Sequence, residues 1–66
     1  MEIYVNGEVR QAPEGLTVLE FLETLQLDPG RLALELDGQI LRRTCWKERP
    51  LHPGARLEIV QFVGGG

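Results

Sequence analysis

The sequence ends in three consecutive glycines, Gly64 to Gly66, directly after the apolar run LEIVQFV. Residues without a Cβ atom adopt any φ and can pass through a narrow channel in another protein. Fully extended, this tail would carry the α-carboxylate of Gly66 about 10 Å beyond the preceding segment. A carboxylate becomes a useful electrophile when ATP converts it to an acyl adenylate, because a sulfur nucleophile can then displace AMP. We therefore expect Gly66 to be the reacting group and a partner enzyme to supply the chemistry.

Side chains that could do chemistry elsewhere in the chain are isolated. His52 is the only histidine and Cys45 the only cysteine, so neither has a second ligand at metal-binding spacing. We expect His52 on the surface and Cys45, beside Trp46, as a half-buried apolar side chain rather than an acidified thiol. Glu20 and Glu23 share one polar helix face, and so small a domain can hardly enclose a catalytic pocket around them. The sequence thus predicts a protein that is not itself an enzyme and binds no cofactor.

The composition predicts one small soluble domain. The 66 residues include ten acidic and seven basic side chains, for a net charge of −3, and 42% are hydrophobic. A net negative charge disfavours nucleic acid as a partner. No apolar run approaches the roughly 20 residues that span a bilayer, and the N-terminus lacks the pattern of a signal peptide. A single cysteine excludes an internal disulfide and suits a reducing cytoplasm, where we expect the protein.

A local basic group departs from this acidic balance. It comprises Arg42, Arg43, Lys47 and Arg49, with Glu48 among them. Two interpretations stay open: a solvated loop, and a docking patch for an acidic partner.

Two hairpins are predicted from alternating polarity and turn residues. Residues 1–11 form the first, with a type I′ turn at Asn6-Gly7 and with Val9 facing inward on the return strand. Residues 32–42 form the second, around a tight turn at Asp37-Gly38.

One helix is predicted between the hairpins. Thr17 and Glu20 have the spacing of a capping box, and Leu16 and Phe21 occupy the positions of a hydrophobic staple. Apolar residues then recur at helical spacing for about ten residues. We expect Asp28-Pro29-Gly30 to end the helix, since proline disfavours helical geometry in the residue before it.

Residues 43–56 break every period and are predicted to be a connector. We expect one short helical turn near residues 45–48, and we expect Trp46 and Leu51 to insert into the core.

The last strand is predicted over residues 57–63, with apolar side chains on both faces. Leu57, Ile59 and Val63 fall on one face, and Val60 and Phe62 on the other. Such a strand is central in its sheet, or its outer face meets a partner. We therefore predict that Val60 and Phe62 contact a partner protein, together with the tail residues Gly64 and Gly65.

The element order is β-β-α-β-β-β, which predicts an α+β fold with a mixed five-stranded sheet covered by one helix. An interior last strand, parallel to the first, explains its continuous apolar character. This arrangement is the β-grasp, or ubiquitin-like, fold. Residues 1–63 would form the domain and residues 64–66 a flexible tail.

The whole pattern resembles the ubiquitin-like sulfur carriers, above all the thiamin-biosynthesis sulfur carriers of the ThiS family. The motifs that carry this resemblance are MEIYVNG, LTVLEFLETL, ALELDGQIL, the RxxW spacing of Arg43 and Trp46, and PGARLEIVQFVGGG. In that family an E1-like adenylating enzyme of the ThiF type activates the terminal glycine. Sulfur from a donor such as a cysteine desulfurase converts it to a thiocarboxylate, and the sulfur passes to a thiazole synthase of the ThiG type. ATP is used by the adenylating enzyme.

The resemblance implies that Gly65 and Gly66 are the terminal pair and that Gly66 bears the sulfur, with Gly64 in the flexible approach. Two departures from the family pattern stand out. Ala55 follows Gly54, where many relatives have an acidic residue, and Gly64 replaces a residue with a side chain. Alternatives are a carrier for molybdopterin synthesis, a ubiquitin-like modifier joined to lysines through Gly66, and a protein-binding module with an incidental tail.

Overall fold

A mixed five-stranded sheet with one helix on one face organises residues 1–63, which are the residues that the computed structural model describes. The elements are β1 (Glu2–Val5), β2 (Glu8–Gln11), α1 (Val18–Thr24), β3 (Leu32–Leu36), β4 (Gln39–Ile40) and β5 (Arg56–Gln61), with 3-10 turns at Pro29–Arg31 and Arg43–Cys45. The strand order across the sheet is β2-β1-β5-β3-β4. β5 is parallel to β1 and antiparallel to β3, which confirms the predicted fold class and the interior position of the last strand.

Both hairpin turns form as their residues predict. The backbone φ angles are 50° at Asn6 and 83° at Gly7, and 52° at Asp37 and 84° at Gly38. Two successive positive φ values define a type I′ turn, which asparagine, aspartate and glycine tolerate best. Local turn chemistry therefore fixes the position of both hairpins.

The prediction that Val9 faces inward is wrong, because its side chain is 55% exposed. The two-residue turn places Val9 directly opposite Tyr4, and Ile3 opposite Arg10. Opposed residues of an antiparallel pair project from the same face of the sheet. Since Ile3 is fully buried, Tyr4 and Val9 must both lie on the face away from the core.

The start of the helix confirms the predicted capping box. Thr17 Oγ1 accepts from the Glu20 N–H at 3.2 Å, and Glu20 Oε1 accepts from the Thr17 N–H at 2.9 Å. The helix presents Val18, Phe21 and Leu22 to the sheet, and all three are buried.

The helix is shorter than predicted and does not end at the proline. Gln26 adopts a left-handed φ of 60°, so the chain reverses immediately after Leu25. The Gln26 N–H donates to the Glu23 carbonyl at 3.0 Å, and the Leu27 N–H donates to the Leu22 carbonyl at 3.4 Å. This pair of bonds is the Schellman motif, with glutamine in the position that glycine usually occupies. Pro29 begins a 3-10 turn instead.

Two side chains of the connector insert into the core, as predicted. Trp46 and Leu51 are 2% and 5% exposed, and the Trp46 Nε1–H donates to the Leu41 carbonyl at 3.0 Å. The short helical turn lies at Arg43–Cys45, two residues before the predicted position. The core consists of the buried residues Ile3, Val5, Ala12, Val18, Phe21, Leu22, Leu32, Leu34, Leu36, Leu41, Trp46, Leu51, Ala55 and Leu57.

The end of β5 also differs from the prediction. Leu57 is buried and Ile59 partly buried, but the strand stops at Gln61 and Val63 is 90% exposed. Leu32, the first residue of β3, pairs with Gln61, so the neighbouring strand does not extend far enough to cover Val63. Within residues 1–63 no helix has the length and apolar character needed to cross a bilayer.

Replacing Thr17 with alanine should lower the free energy of unfolding by about 1 kcal/mol, the usual cost of losing an N-cap. Urea denaturation followed by circular dichroism measures the change. Thr44→Ala is the matched control, because Thr44 is exposed and should change stability by less than about 0.5 kcal/mol. Equal losses in the two variants would contradict a stabilising cap.

Candidate functional site

The predicted reacting group, the carboxylate of Gly66, and the neighbouring Gly64 and Gly65 lie outside the described residues. The described chain reaches the tail through the end of β5. The surface around this end is therefore the part of the predicted site that the structure defines.

An apolar surface lies beside the end of β5, on the sheet face opposite the helix. Its members are Ala33, Ile40, Val60 and Phe62, which we call the outer patch. Val60 pairs with Ala33, and the side chains of Val60, Phe62 and Ile40 are 56%, 52% and 82% exposed. Phe62 lines a shallow depression with Ala33 and Ile40. Val60 and Phe62 are therefore accessible, as a partner-facing role requires, and their contact with a partner stays a prediction.

Two carboxylates border the outer patch. Glu35 and Glu58 are exposed and face each other across β3 and β5, and Glu35 also pairs with Ile40 on β4. Together with Ala33 and Val60, these residues line one depression. Like charges directly opposite on a sheet repel each other. A partner surface with an apolar centre and a positive charge beside it would complement this arrangement.

The last part of the described chain is fixed to the start of β3. Gln61 pairs with Leu32, and the Phe62 N–H donates to the Arg31 carbonyl at 2.8 Å. The backbone is therefore anchored as far as Phe62, two residues before Gly64.

The RxxW spacing corresponds to a specific structure, the Arg43–Trp46 pair. The Arg43 guanidinium donates through Nη1 to the Pro29 carbonyl and through Nη2 to the Leu32 carbonyl, the latter at 2.9 Å. Its Cζ atom lies 5.1 Å from the centroid of the Trp46 ring, within the range of a cation–π interaction. Sequence reasoning singled out these two residues as a family feature but did not predict these contacts.

The basic group is exposed at all four positions, Arg42, Arg43, Lys47 and Arg49. Only Arg43 of the four donates side-chain hydrogen bonds within the described part of the chain. Exposure suits both a solvated loop and a docking patch, so the second interpretation stays a prediction.

Cys45 and His52 lie where the sequence placed them. Cys45 is partly buried against the core, and His52 is exposed. Among residues 1–63 no group of three His, Cys, Asp or Glu side chains has the geometry to hold a metal ion.

An ion pair between Asp37 and His52 is a feature that sequence reasoning missed. His52 Nε2 lies 2.7 Å from Asp37 Oδ2, and Nδ1 lies 2.9 Å from the Pro53 carbonyl oxygen. Both oxygens only accept, so the two bonds form together only when both ring nitrogens carry a proton. Asp37 Oδ1 also accepts from the Arg56 N–H at 2.9 Å. In the sequence, Asp37 predicts only a turn, and no local pattern links it to His52, 15 residues away.

These contacts shift the pKa of His52 and the pKa of Asp37 in opposite directions. The hydrogen bond that His52 donates to Asp37, and then the one that it donates to the Pro53 carbonyl, raise the pKa of His52 above its ordinary value of 6.5. The hydrogen bond from His52, and then the one from Arg56, lower the pKa of Asp37 below its ordinary value of 3.8.

Comparisons with known proteins agree with the observed fold. The family model of the ThiS family matches residues 3–66. The sulfur carrier protein ThiS of Escherichia coli is 32% identical over 66 residues, which is the full length of both chains. The crystal structure of a ThiS thiamine biosynthesis protein from Geobacter metallireducens superposes with a TM-score of 0.86 at 30% identity, covering all of both chains.

Longer relatives also match. A thiazole synthase of Paramagnetospirillum magneticum is 33% identical and one of Magnetococcus marinus is 32% identical, each over the full length of this chain. The chain spans only 20% of the length of each of these two proteins.

The fold defines the class of ubiquitin-like β-grasp proteins. Within that class, this chain belongs to the ThiS family.

The Asp37–His52 pair should make stability depend on pH from both sides. The contribution of His52, whose pKa is raised, is complete below its unfolded value of 6.5 and is lost as pH rises through the folded value. The contribution of Asp37, whose pKa is lowered, is present above its unfolded value of 3.8 and is lost as pH falls through the folded value. The pair should therefore stabilise the fold most between these two pH values.

An NMR titration of the His52 ring measures the first of these shifts. We expect a pKa above 6.5 in the wild type and a return toward 6.5 in Asp37→Asn. Asparagine tolerates the left-handed turn conformation, so this variant removes the charge while keeping the backbone. The same pKa in both proteins would contradict the pairing.

Proposed function

We propose that this chain is a sulfur carrier for thiamin biosynthesis that holds sulfur as a thiocarboxylate on Gly66. The observation that carries the proposal is the match, over the full length of both chains, to the sulfur carrier protein ThiS of Escherichia coli. The carrier itself performs no catalysis; partner enzymes charge and unload it.

The proposed chemistry takes place in two steps at the carbonyl carbon of Gly66. A carboxylate oxygen attacks the α-phosphorus of ATP, and pyrophosphate leaves. A sulfur nucleophile at the oxidation level of sulfide, which two thiols release from a persulfide donor as they form a disulfide, then attacks the carbonyl carbon, and AMP leaves with the original oxygen. ATP is bound by the adenylating enzyme, and the carrier contributes the acyl group.

The proposal divides the chain into two working parts. Residues 1–63 form the recognised domain, with the outer patch as the surface that docks. Residues 64–66 form a side-chain-free probe that enters the active site of the partner. The exposed Val60 lies on β5 and the exposed Phe62 follows its last residue, so docking of this surface would direct the tail toward the catalytic centre.

Three partners follow from this function: an E1-like adenylating enzyme of the ThiF type, a sulfur donor such as a cysteine desulfurase, and a thiazole synthase of the ThiG type. The thiazole synthases of Paramagnetospirillum and Magnetococcus support the last of these. Each contains a segment similar to the whole of this chain, which favours joint action of carrier and synthase.

Deleting Gly66 should abolish charging, because the terminal carboxylate then lies about 3 Å short of the reacting position. The melting temperature should be unchanged, because the domain precedes the tail. The assay incubates the protein with the adenylating enzyme, ATP and a sulfur source, and then records the intact mass. The wild type should gain the mass difference between one sulfur and one oxygen atom. Gly64→Ala is the matched control, since it keeps the terminal pair and should still be charged.

Other results, from this assay and from related experiments, would overturn the proposal. A gain equal to a whole protein would indicate a ubiquitin-like modifier, and transfer of sulfur only to a molybdopterin precursor would indicate the related carrier. An unchanged wild-type mass, with full growth of cells that lack Gly66, would exclude sulfur carriage. A natural gene product that continues past Gly66 without trimming would also exclude it.

Replacing Phe62 with aspartate should weaken binding to the adenylating enzyme about thirtyfold, the effect of losing an interface residue worth about 2 kcal/mol. The new carboxylate would lose water at an apolar contact. Val9→Asp is the matched control, because Val9 is equally exposed but lies on β2, two strands from β5. Isothermal titration calorimetry compares the three proteins, and equal affinities would contradict the outer patch as the docking surface.

A further inference from the structure

Arg43 occupies a position in which only its planar guanidinium can make all the observed contacts. One nitrogen donates to the Pro29 carbonyl, a second to the Leu32 carbonyl, and the Cζ atom lies over the Trp46 ring. Lysine carries the same charge but is a single point donor without a flat face. The site thus depends on the shape of the arginine fork and not only on its charge.

Trp46 gives this fork a rigid base. The ring is buried, and its Nε1–H is bound to the Leu41 carbonyl at 3.0 Å. A ring held by packing and by one hydrogen bond cannot rotate freely, so the guanidinium above it has a fixed support.

The same short segment that binds Arg43 also binds the end of β5. Pro29 and Leu32 give their carbonyls to Arg43, while Arg31, between them, gives its carbonyl to the Phe62 N–H at 2.8 Å. This Phe62 bond lies beyond the last residue of β5, and the glycines begin two residues later. Residues 29–32 therefore connect Arg43 mechanically to the point where the tail leaves the sheet.

We propose that Arg43 is a positioning residue for the charging reaction, which it serves by fixing residues 29–32 and, through them, the exit of the tail at Phe62. This inference rests on the proposed function. Arg43 would act through the backbone of residues 29–32.

The physical reason is that the glycines cannot compensate for an error in the position or direction of the residue from which the tail begins. A tail without side chains has many conformations, so its reach into a partner depends on where and in which direction it begins. An error of about 1 Å at a reacting atom can cost on the order of a hundredfold in rate. A fixed origin limits that error while the glycines keep the freedom to pass through a channel.

The test compares Arg43→Lys with Arg42→Lys. Arg42 is the adjacent exposed arginine, and its side chain makes no hydrogen bond within the described residues. Both variants keep the charge, but only Arg43→Lys removes a guanidinium that donates hydrogen bonds. Hydrogen exchange by NMR is measured at the Phe62 amide and at the Leu57 amide in the middle of β5. Steady-state charging by the adenylating enzyme is measured on the same proteins.

In Arg43→Lys the Phe62 amide should exchange about tenfold faster, the effect of losing one hydrogen bond to a charged group, while Leu57 is unchanged. The kcat for charging should fall roughly tenfold to a hundredfold at constant KM, because the outer patch still docks and only delivery of the tail suffers. Arg42→Lys should match the wild type in hydrogen exchange at both amides.

Three results would overturn the inference. Exchange that rises equally at Phe62 and Leu57 would show general destabilisation, and unchanged exchange would show that Arg43 does not hold the exit. Faster exchange at Phe62 with an unchanged kcat would show that the anchor is irrelevant to charging. A wild-type protein that is never charged would overturn the proposed function, whereas the exchange data would still decide whether Arg43 holds Phe62.

Discussion

The central position of β5 is the constraint on which the rest of the molecule depends. This strand forms ladders with β1 on one side and β3 on the other, so it joins the two hairpins into one sheet. Its inward residue Leu57 is buried under the helix, while Val60 projects from the opposite face and stays exposed. One strand thus stabilises the core, displays an apolar surface and leads into the glycine sequence. Any change that displaces β5 would affect all three at once.

Features set by neighbouring residues were predictable from the sequence. Asn6-Gly7 and Asp37-Gly38 formed their turns because positive φ is a local property of those residues, and the capping box formed because Thr17 and Glu20 are three residues apart. The interior β5 was predictable for a different reason. A strand with apolar groups on both faces suits an interior position, and β5 does lie between β1 and β3.

The errors arose where a tertiary or backbone effect overrode the pattern. Val9 faces outward because the turn sets its register, although its apolar character favoured the core. The helix ends before Gln26 because this glutamine adopts a left-handed conformation, which non-glycine residues disfavour. Pro29 begins a 3-10 turn instead. For the candidate site, the exposure of Val60 and Phe62 followed from alternation along one strand. The contacts of Arg43 and the Asp37–His52 pair join segments that are distant in sequence, so composition and spacing could not reveal them.

The parallel pairing of β1 with β5 has a consequence for biosynthesis. Tyr4 pairs with Arg56, so β1 must wait until nearly the whole domain has been translated before it meets β5. Until β5 is translated, the nascent chain holds two separate hairpins with no strand between them. Contacts between residues so distant in sequence also form slowly. Translation of β5 would therefore be the event that permits cooperative folding. A truncated product made by premature termination would lack its central strand and would be a substrate for proteolysis.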